Sequence, residues 1–308
     1  MPTTTNQKKL IVIAGPTAVG KTAISIQLAK QLNCDIISAD SRQVYKELSI
    51  GTAKPCPEEM QGVFHHFIDF ISIHQHYNAG IFEKDVITFL ENYFLKKDVV
   101  ILCGGTGMYI DAVCNGMDEF QAINEHLRNE LTKQYKTKGI NWLQEEVEKL
   151  DPIFYSVVDK QNPARLLRAL EICISTGLPY SSQRKGKAKK RNFSTLKILI
   201  NDDRIALYNR INKRVDTMID KGLIEEAKSV YPYKNNKALN TVGYKELFDY
   251  FDGKVSLEKA IELIKQNTRN YAKRQLTWFN SDAQYHSFFP TQFNEMMLFL
   301  NEKLTTKS

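Results

Sequence analysis

The chain has few cysteines, and none is arranged for a cysteine-based scaffold. Cys34, Cys56, Cys103, Cys114 and Cys173 are scattered without a C-x-x-C pair, which excludes a disulfide framework and a cysteine zinc site and predicts reduced thiols. No apolar run approaches the roughly 18 to 20 residues of a membrane span. The polar start, Met1 to Lys9, leads only into the short run Leu10 to Ala14, too brief for a secretory signal. No internal repeat is visible. Apolar residues are not scarce: at 308 residues, 43% hydrophobic and 25% charged, disorder, collagen and coiled coil are excluded, and the length suits one large domain or two ordinary ones. The expectation is a cytoplasmic, monomeric enzyme with no membrane contact. Acidic residues are outnumbered, 35 against 42 Lys and Arg, for a net charge of +7; the surplus suggests an anionic partner without identifying it.

Lys8 to Ala14 reads as a buried strand, because its apolar run ends in Gly15-Pro16 before a helical pattern. Further runs of strand length occur at Asp35 to Ala39, Val99 to Cys103, Leu196 to Ile200 and around Gln284 to Phe288. Separated by helical stretches, they predict an α/β fold with a buried parallel sheet. Between Asn115 and Asn192 only helical stretches are visible, Glu125 to Lys136, Asn141 to Leu150 and Pro163 to Thr176. The organisation expected is therefore a core in two parts, 1–116 and 194–308, around an all-helical insertion, 117–193. The insertion closes in a basic run, Arg184 to Arg191, which reads either as a solvated loop or as an electrostatic arm on a polyanion. Asn201-Asp202-Asp203 offers a cap for the helix that follows.

Gly15-Pro16-Thr17-Ala18-Val19-Gly20-Lys21-Thr22 matches G-x-x-x-x-G-K-[ST] after a strand and before a helix. Its backbone N–H groups, a helix N-terminus and the Lys21 cation can cradle phosphates, and the Thr22 hydroxyl can ligate Mg²⁺. ATP, GTP and a pyrophosphate ester would all satisfy those donors. Asp40 ends the second strand, at the same sheet edge as the phosphate loop. From position it is a metal ligand, a helix cap or a general base. Gly104-Gly105-Thr106-Gly107-Met108-Tyr109 also follows a strand, so the Thr106 hydroxyl either enters the crevice or caps a helix. The strand Val99 to Cys103 ends in glycines, with no Asp where an NTPase commonly places its metal-holding carboxylate. His65-His66 and His74-x-His76 lack further ligands for a metal and read as loop or structural residues.

Eight motifs in order, GPTAVGKT (Gly15 to Thr22), DSRQVY (Asp40 to Tyr45), IGTAKP (Ile50 to Pro55), HHFID (His65 to Asp69), GGTGMY (Gly104 to Tyr109), RALE (Arg168 to Glu171), TVGYKEL (Thr241 to Leu247) and YAKRQLTWF (Tyr271 to Phe279), resemble those of bacterial tRNA dimethylallyltransferases. The resemblance spans nearly the whole chain. It implies a P-loop kinase-like parallel sheet flanked by helices, with a helical insertion that closes on the tRNA anticodon stem-loop. It further implies transfer of a dimethylallyl group from dimethylallyl diphosphate to the exocyclic amine of the adenosine beside the anticodon, with Mg²⁺ as cofactor. By motif match Asp40 resembles the general base, and Asp40, Ser41, Arg42 and Gln43 contact the target base. Thr106 and Arg128 resemble tRNA-contacting positions, and Arg214 the arginine that helps hold the diphosphate. Where many relatives carry a run of arginines before RALE, this chain reads Asn162-Pro163-Ala164-Arg165-Leu166-Leu167-Arg168, so the segment Ala164, Arg165, Leu166, Leu167 and Arg168 is matched by spacing.

An aromatic amine is a weak nucleophile, so the reaction needs leaving-group stabilisation and proton removal. Lys21 and the loop amides would supply the first and Asp40 the second. Base flipping is expected, with basic residues of the insertion and Arg269, Lys273 and Arg274 offsetting the unstacking cost through tRNA phosphates. The rival readings are a small-molecule kinase that turns over ATP, a non-catalytic RNA-binding module, and prenyl transfer to free adenine nucleotides.

Overall fold

Six consecutive buried residues, Lys9–Ala14, form strand β1, and a strand buried on both faces must be apolar throughout rather than alternating. The computed structural model describes residues 8–121, 124–184, 186 and 188–305. The chain divides into two compact units, Met1–Asn115 with Lys190–Ser308, and Gly116–Lys189.

In the first unit β1 is followed by α1 (Lys21–Leu32), β2 (Ile36–Ser38), α2 (Pro57–Met60), β3 (His65–His66), α3 (Ala79–Tyr93), β4 (Val99–Gly104) and α4 (Gly107–Asn115). After the second unit the chain returns as β5 (Ser194–Ile200), α9 (Arg204–Asp220), α10 (Leu223–Val230), α11 (Tyr244–Phe251), α12 (Leu257–Asn280), β6 (Tyr285–Phe288) and α13 (Phe293–Thr305). The sheet order is β3-β2-β4-β1-β5-β6, with Ile11 opposite Ile101 and Leu196. Every pairing is parallel, so all carboxyl ends share one edge, where an α/β sheet presents its crevice. β3 is only two residues long, too short to leave a periodic signal.

One core packs α1, α9 and α13 on the sheet through Ile13, Leu28, Ile198, Ile211, Met296 and Leu300. Another joins α9 to α12 with the 44–48 segment through Val44, Leu48, Val215, Leu223, Leu247 and Ile264. Asp203 caps α9, accepting the N–H groups of Ile205 and Ala206, where Asn201-Asp202-Asp203 predicts a start.

The second unit comprises α5 (Glu125–Leu150), α6 (Pro152–Val157), α7 (Pro163–Thr176) and α8 (Tyr180–Gln183), with no strand among its described residues. Its core is Leu131, Leu143, Val147, Phe154, Leu166 and Leu170. The two helices expected across 125–150 are one element broken at Gly139, whose φ of 80° is open to glycine and strained for other residues. α7 has the expected bounds because three local signals agree: Asn162 caps it, Pro163 starts it and Gly177, at φ 70°, ends it.

The electrostatic-arm reading of Arg184 to Arg191 needs correction for two of its charges. In the first unit the Arg191 side chain, 11% exposed, donates to Glu83 at 2.9 Å and to the Ala112 carbonyl at 2.8 Å. In the second, Lys189 pairs with Glu119 at 3.0 Å. Lys185 and Lys187, like the polar start before Lys8, lie outside the described residues. Among the described residues no helix is long and apolar enough to cross a membrane.

Candidate functional site

The phosphate loop is shaped by backbone conformations that its small residues permit. Gly15 has φ 154°, and a Cβ there would lie 2.4 Å from the Ile200 carbonyl oxygen, so β5 leaves no room for a side chain. Ala18 and Gly20 also have positive φ, 63° and 104°. Val19 anchors the loop in the core, and Arg210, paired with Asp202 at 2.6 Å, donates to the Ala18 carbonyl at 3.0 Å. Lys21 opens α1 and donates to the Pro16 carbonyl at 2.8 Å. Burial lowers its pKa from 10.5 to about 8, with Arg214 adding to the effect while Cys103 and Asp40 oppose it. An anion in the loop would favour the charged ammonium. Thr22 is exposed in the same turn.

Asp40 emerges half-buried beyond β2. Its Oδ1 accepts the N–H groups of Arg42 at 2.8 Å and Gln43 at 3.3 Å, so it caps a turn. Its Oδ2 makes no hydrogen bond among the described residues and is left for another partner. Thr106 lies beside it: its hydroxyl accepts the Ser41 N–H at 3.1 Å. The Thr106 hydroxyl thus ties the two loops together rather than capping α4. Burial, helped by the Asp40 charge, pushes the Tyr271 phenol up to about 12, so it is neutral near pH 7. Arg42 donates through Nη1 to the Ala238 carbonyl at 3.0 Å while bordering the cavity, and the Gln43 amide donates to the Thr52 and Ala53 carbonyls.

Asp40, Ser41, Arg42 and Tyr271 border a cavity of about 500 Å³. Thr17, Asp40, Ser41, Arg214, Tyr271 and Arg274 give it a polar side, and Ile211, Val215, Met218, Leu223 and Ile264 an apolar one. Arg214 is half-buried, and burial depresses its pKa while Asp40 raises it. A guanidinium stays charged through such a shift.

The partners of two residues that hold this site's loops are not legible in the sequence, although one of the two lies inside YAKRQLTWF. Glu226 accepts the N–H groups of Ser49, Ile50 and Gly51 at 3.0, 2.8 and 2.9 Å and the Tyr244 hydroxyl at 2.6 Å, which holds the IGTAKP loop in place. A lone Glu in a helix announces none of these partners. Gln275 is the other, and it explains two motifs together. Its Oε1 accepts the Thr17 N–H at 2.9 Å and its Nε2 donates to the Gly105 carbonyl at 2.8 Å. Cβ atoms on Gly104, Gly105 and Gly107 would approach Ala39 O, Gln275 Nε2 and Trp278 Nε1 to 2.2, 2.2 and 2.3 Å. The glycines of GGTGMY are therefore required by close approach to KRQLTWF and to β2's exit.

Of the remaining expected residues in this unit, Arg269 donates to Asn212 at 2.6 Å, and Lys273 and Arg274 are exposed on α12. The second unit holds the others. Arg128 grips Glu171 with both Nε and Nη2, at 2.8 and 3.0 Å. Ala164 and Arg165 are exposed, Leu167 is half-buried, and Arg168 lies 3.5 Å from Glu171 and 5.6 Å from the Phe120 ring. Leu166 is a correction: fully buried in that unit's core, its side chain has no surface to offer an RNA. No group of three His, Cys, Asp or Glu that could hold a metal occurs among the described residues; His66 instead pairs with Asp35 at 2.9 Å.

Comparison with known proteins agrees with this geometry. The IPP transferase family model matches residues 43–282. The chain is 49% identical over 288 residues to tRNA dimethylallyltransferase 2 of Azobacteroides pseudotrichonymphae, with 94% of each chain covered. It is 49% identical over 298 residues to the tRNA dimethylallyltransferase of Christiangramia forsetii, covering 96% of this chain and 99% of that one. Among solved structures, the full-length tRNA isopentenylpyrophosphate transferase of Bacillus halodurans superposes with a TM-score of 0.72 at 37% identity over 97% of both chains. A eukaryotic dimethylallyltransferase acting on tRNA gives 0.77 at 29% identity, over 92% of this chain and 74% of that one. Matched over nearly its whole length by sequence and by fold, the chain belongs to the IPP transferase family, the tRNA dimethylallyltransferases.

Proposed function

We propose that this tRNA prenyltransferase moves a dimethylallyl group from dimethylallyl diphosphate to the exocyclic N6 amine of the adenosine beside the anticodon, releasing diphosphate. The observation that carries the reading is that Thr17 of the phosphate loop, the Asp40 carboxylate and the Arg214 guanidinium border one cavity with an apolar wall at the carboxyl edge of the sheet. Lys21, the loop amides and Arg214 bind the diphosphate, and the apolar wall accommodates the hydrocarbon. As the allylic carbon–oxygen bond breaks, charge grows on the departing oxygen, and donors already aimed there stabilise it. The amine nitrogen forms the new carbon–nitrogen bond, and its proton passes to Asp40 Oδ2. Thr106, through the Ser41 N–H, holds the loop that carries Asp40. The base must leave its stack to enter the crevice, at a cost of a few kcal/mol, and Arg128, Arg165, Arg168, Arg269, Lys273 and Arg274 supply phosphate contacts that offset it.

The residues present fit a Mg²⁺ shared with the diphosphate rather than one caged by protein alone, since the Thr22 hydroxyl is exposed at the loop. Thr22 would hold the ion with the diphosphate's own oxygens, and the ion would neutralise diphosphate charge. The activity belongs in the cytoplasm, where tRNA is. The relatives favour prenyl transfer over the kinase reading. Mass analysis of nucleosides from unmodified tRNA incubated with the protein, Mg²⁺ and dimethylallyl diphosphate should show a dimethylallyl adenosine. Unmodified adenosine alongside ATP turnover on a small acceptor would establish the kinase instead.

A further inference from the structure

We infer that Gln275 is a positioning residue for the transfer reaction, its side-chain amide setting the phosphate loop against the turn that carries Thr106. The inference rests on the prenyl-transfer reading above. Gln275 is 6% exposed and does not border the cavity, so it acts through its neighbours. Its two bonds, from the Thr17 N–H and to the Gly105 carbonyl, join one loop that binds the leaving group to another that lies beside Asp40. Both partners are main-chain groups, one a donor and one an acceptor, so only one orientation of the amide satisfies them. The absence of a side chain at Gly105 is what admits Nε2, because a Cβ there would lie 2.2 Å from it. One turn earlier on the same face of α12, Tyr271 borders the cavity with Asp40 and Ser41, and Thr106, the residue after Gly105, accepts the Ser41 N–H next to Asp40. The Gln275 amide thereby ties the diphosphate side and the proton-accepting side at one spacing. The near-isosteres do not do both tasks at neutral pH: Met does neither, ionised Glu accepts but cannot donate, and Asn is a methylene short.

The test compares full-length Gln275→Met and Gln275→Glu with the wild type in kcat, KM for tRNA, calorimetric affinity for inorganic diphosphate, and thermal midpoint. Leaving two buried main-chain groups without partners should lower both kcat and diphosphate affinity in Gln275→Met about tenfold to a hundredfold, with KM for tRNA little changed. In Gln275→Glu the activity relative to wild type should rise as pH falls, because the protonated carboxyl regains the donor to Gly105. A folded Gln275→Met with wild-type kcat and diphosphate affinity and only a lower midpoint would overturn the inference. Should Gln275→Met fail to fold, a pH-independent ratio for Gln275→Glu would overturn it equally. Diphosphate affinity is read without tRNA or turnover, so a wild type that transfers no prenyl group would sink the functional reading and leave the diphosphate arm to decide the role of Gln275.

Discussion

Lys21 sets charge against burial more directly than any other side chain of the loop. Its pKa falls from 10.5 to about 8 through burial, so between those values the unfolded chain binds more protons than the folded one, and stability rises with pH across that window. Ligand affinity runs the other way, because the ammonium that binds phosphate is lost above about pH 8. Affinity for a non-reactive dimethylallyl diphosphate analogue should therefore decline as pH passes that value, and calorimetry on Lys21→Met should find a lower affinity without the decline. Lys21→Ala should lower transfer at least about tenfold to a hundredfold, the worth of one charge-assisted contact, with the fold intact by circular dichroism. Asp40→Asn keeps an oxygen for the Arg42 and Gln43 amides but no longer takes a proton at neutral pH. Its single-turnover rate should fall by roughly 10² to 10⁴ with substrate affinity preserved. Restoration of that rate by added Mg²⁺ would assign Asp40 as a metal ligand instead.

At the scale of elements, what sequence makes legible is whatever local chemistry repeats or terminates. β1 and α7 are read from an apolar run and from Asn162, Pro163 and Gly177, because such signals act within a few residues. α10 illustrates the opposite case. Glu226 looks like any surface carboxylate of an amphipathic helix, yet it holds three amides of the Ser49–Gly51 loop and the Tyr244 hydroxyl, partners distant in sequence. Glu226→Ala strands those donors and should cost roughly 1 to 3 kcal/mol or more, seen as a lower denaturation midpoint. Tyr244→Phe, which removes one of the four bonds and leaves the ring in the core, should cost about 1 kcal/mol.

For the molecule as a whole, the net charge of +7 is divided between charges built into the fold and charges offered to a polyanion. Within the basic run Arg191 belongs to the first group: Arg191→Gln removes the guanidinium from buried Glu83 and should cost roughly 3 kcal/mol, with the tRNA salt dependence little altered. Replacing Arg184, Lys185, Lys187 and Lys190 by Gln should do the reverse, weakening tRNA binding and flattening its dependence on salt as fewer counterions are released. An unchanged salt slope would make the run a solvated loop.

The sequence by itself determined the parallel α/β class, the phosphate loop, the helical character of the insertion and the presence of Asp40 and Thr106 at the carboxyl edge. Each follows from periodicity, glycine chemistry or strand polarity, which are local properties of the chain. Only the tertiary structure decided that Leu166 is core, that the Arg42 guanidinium reaches the Ala238 carbonyl, and that Arg191 is paired with Glu83. It alone joined Gly105 to Gln275 and Ser49–Gly51 to Glu226. The physical reason is that a side chain's role depends on which donors, acceptors and charges the fold brings within about 3 Å of it, and those partners here lie tens to hundreds of residues away along the chain.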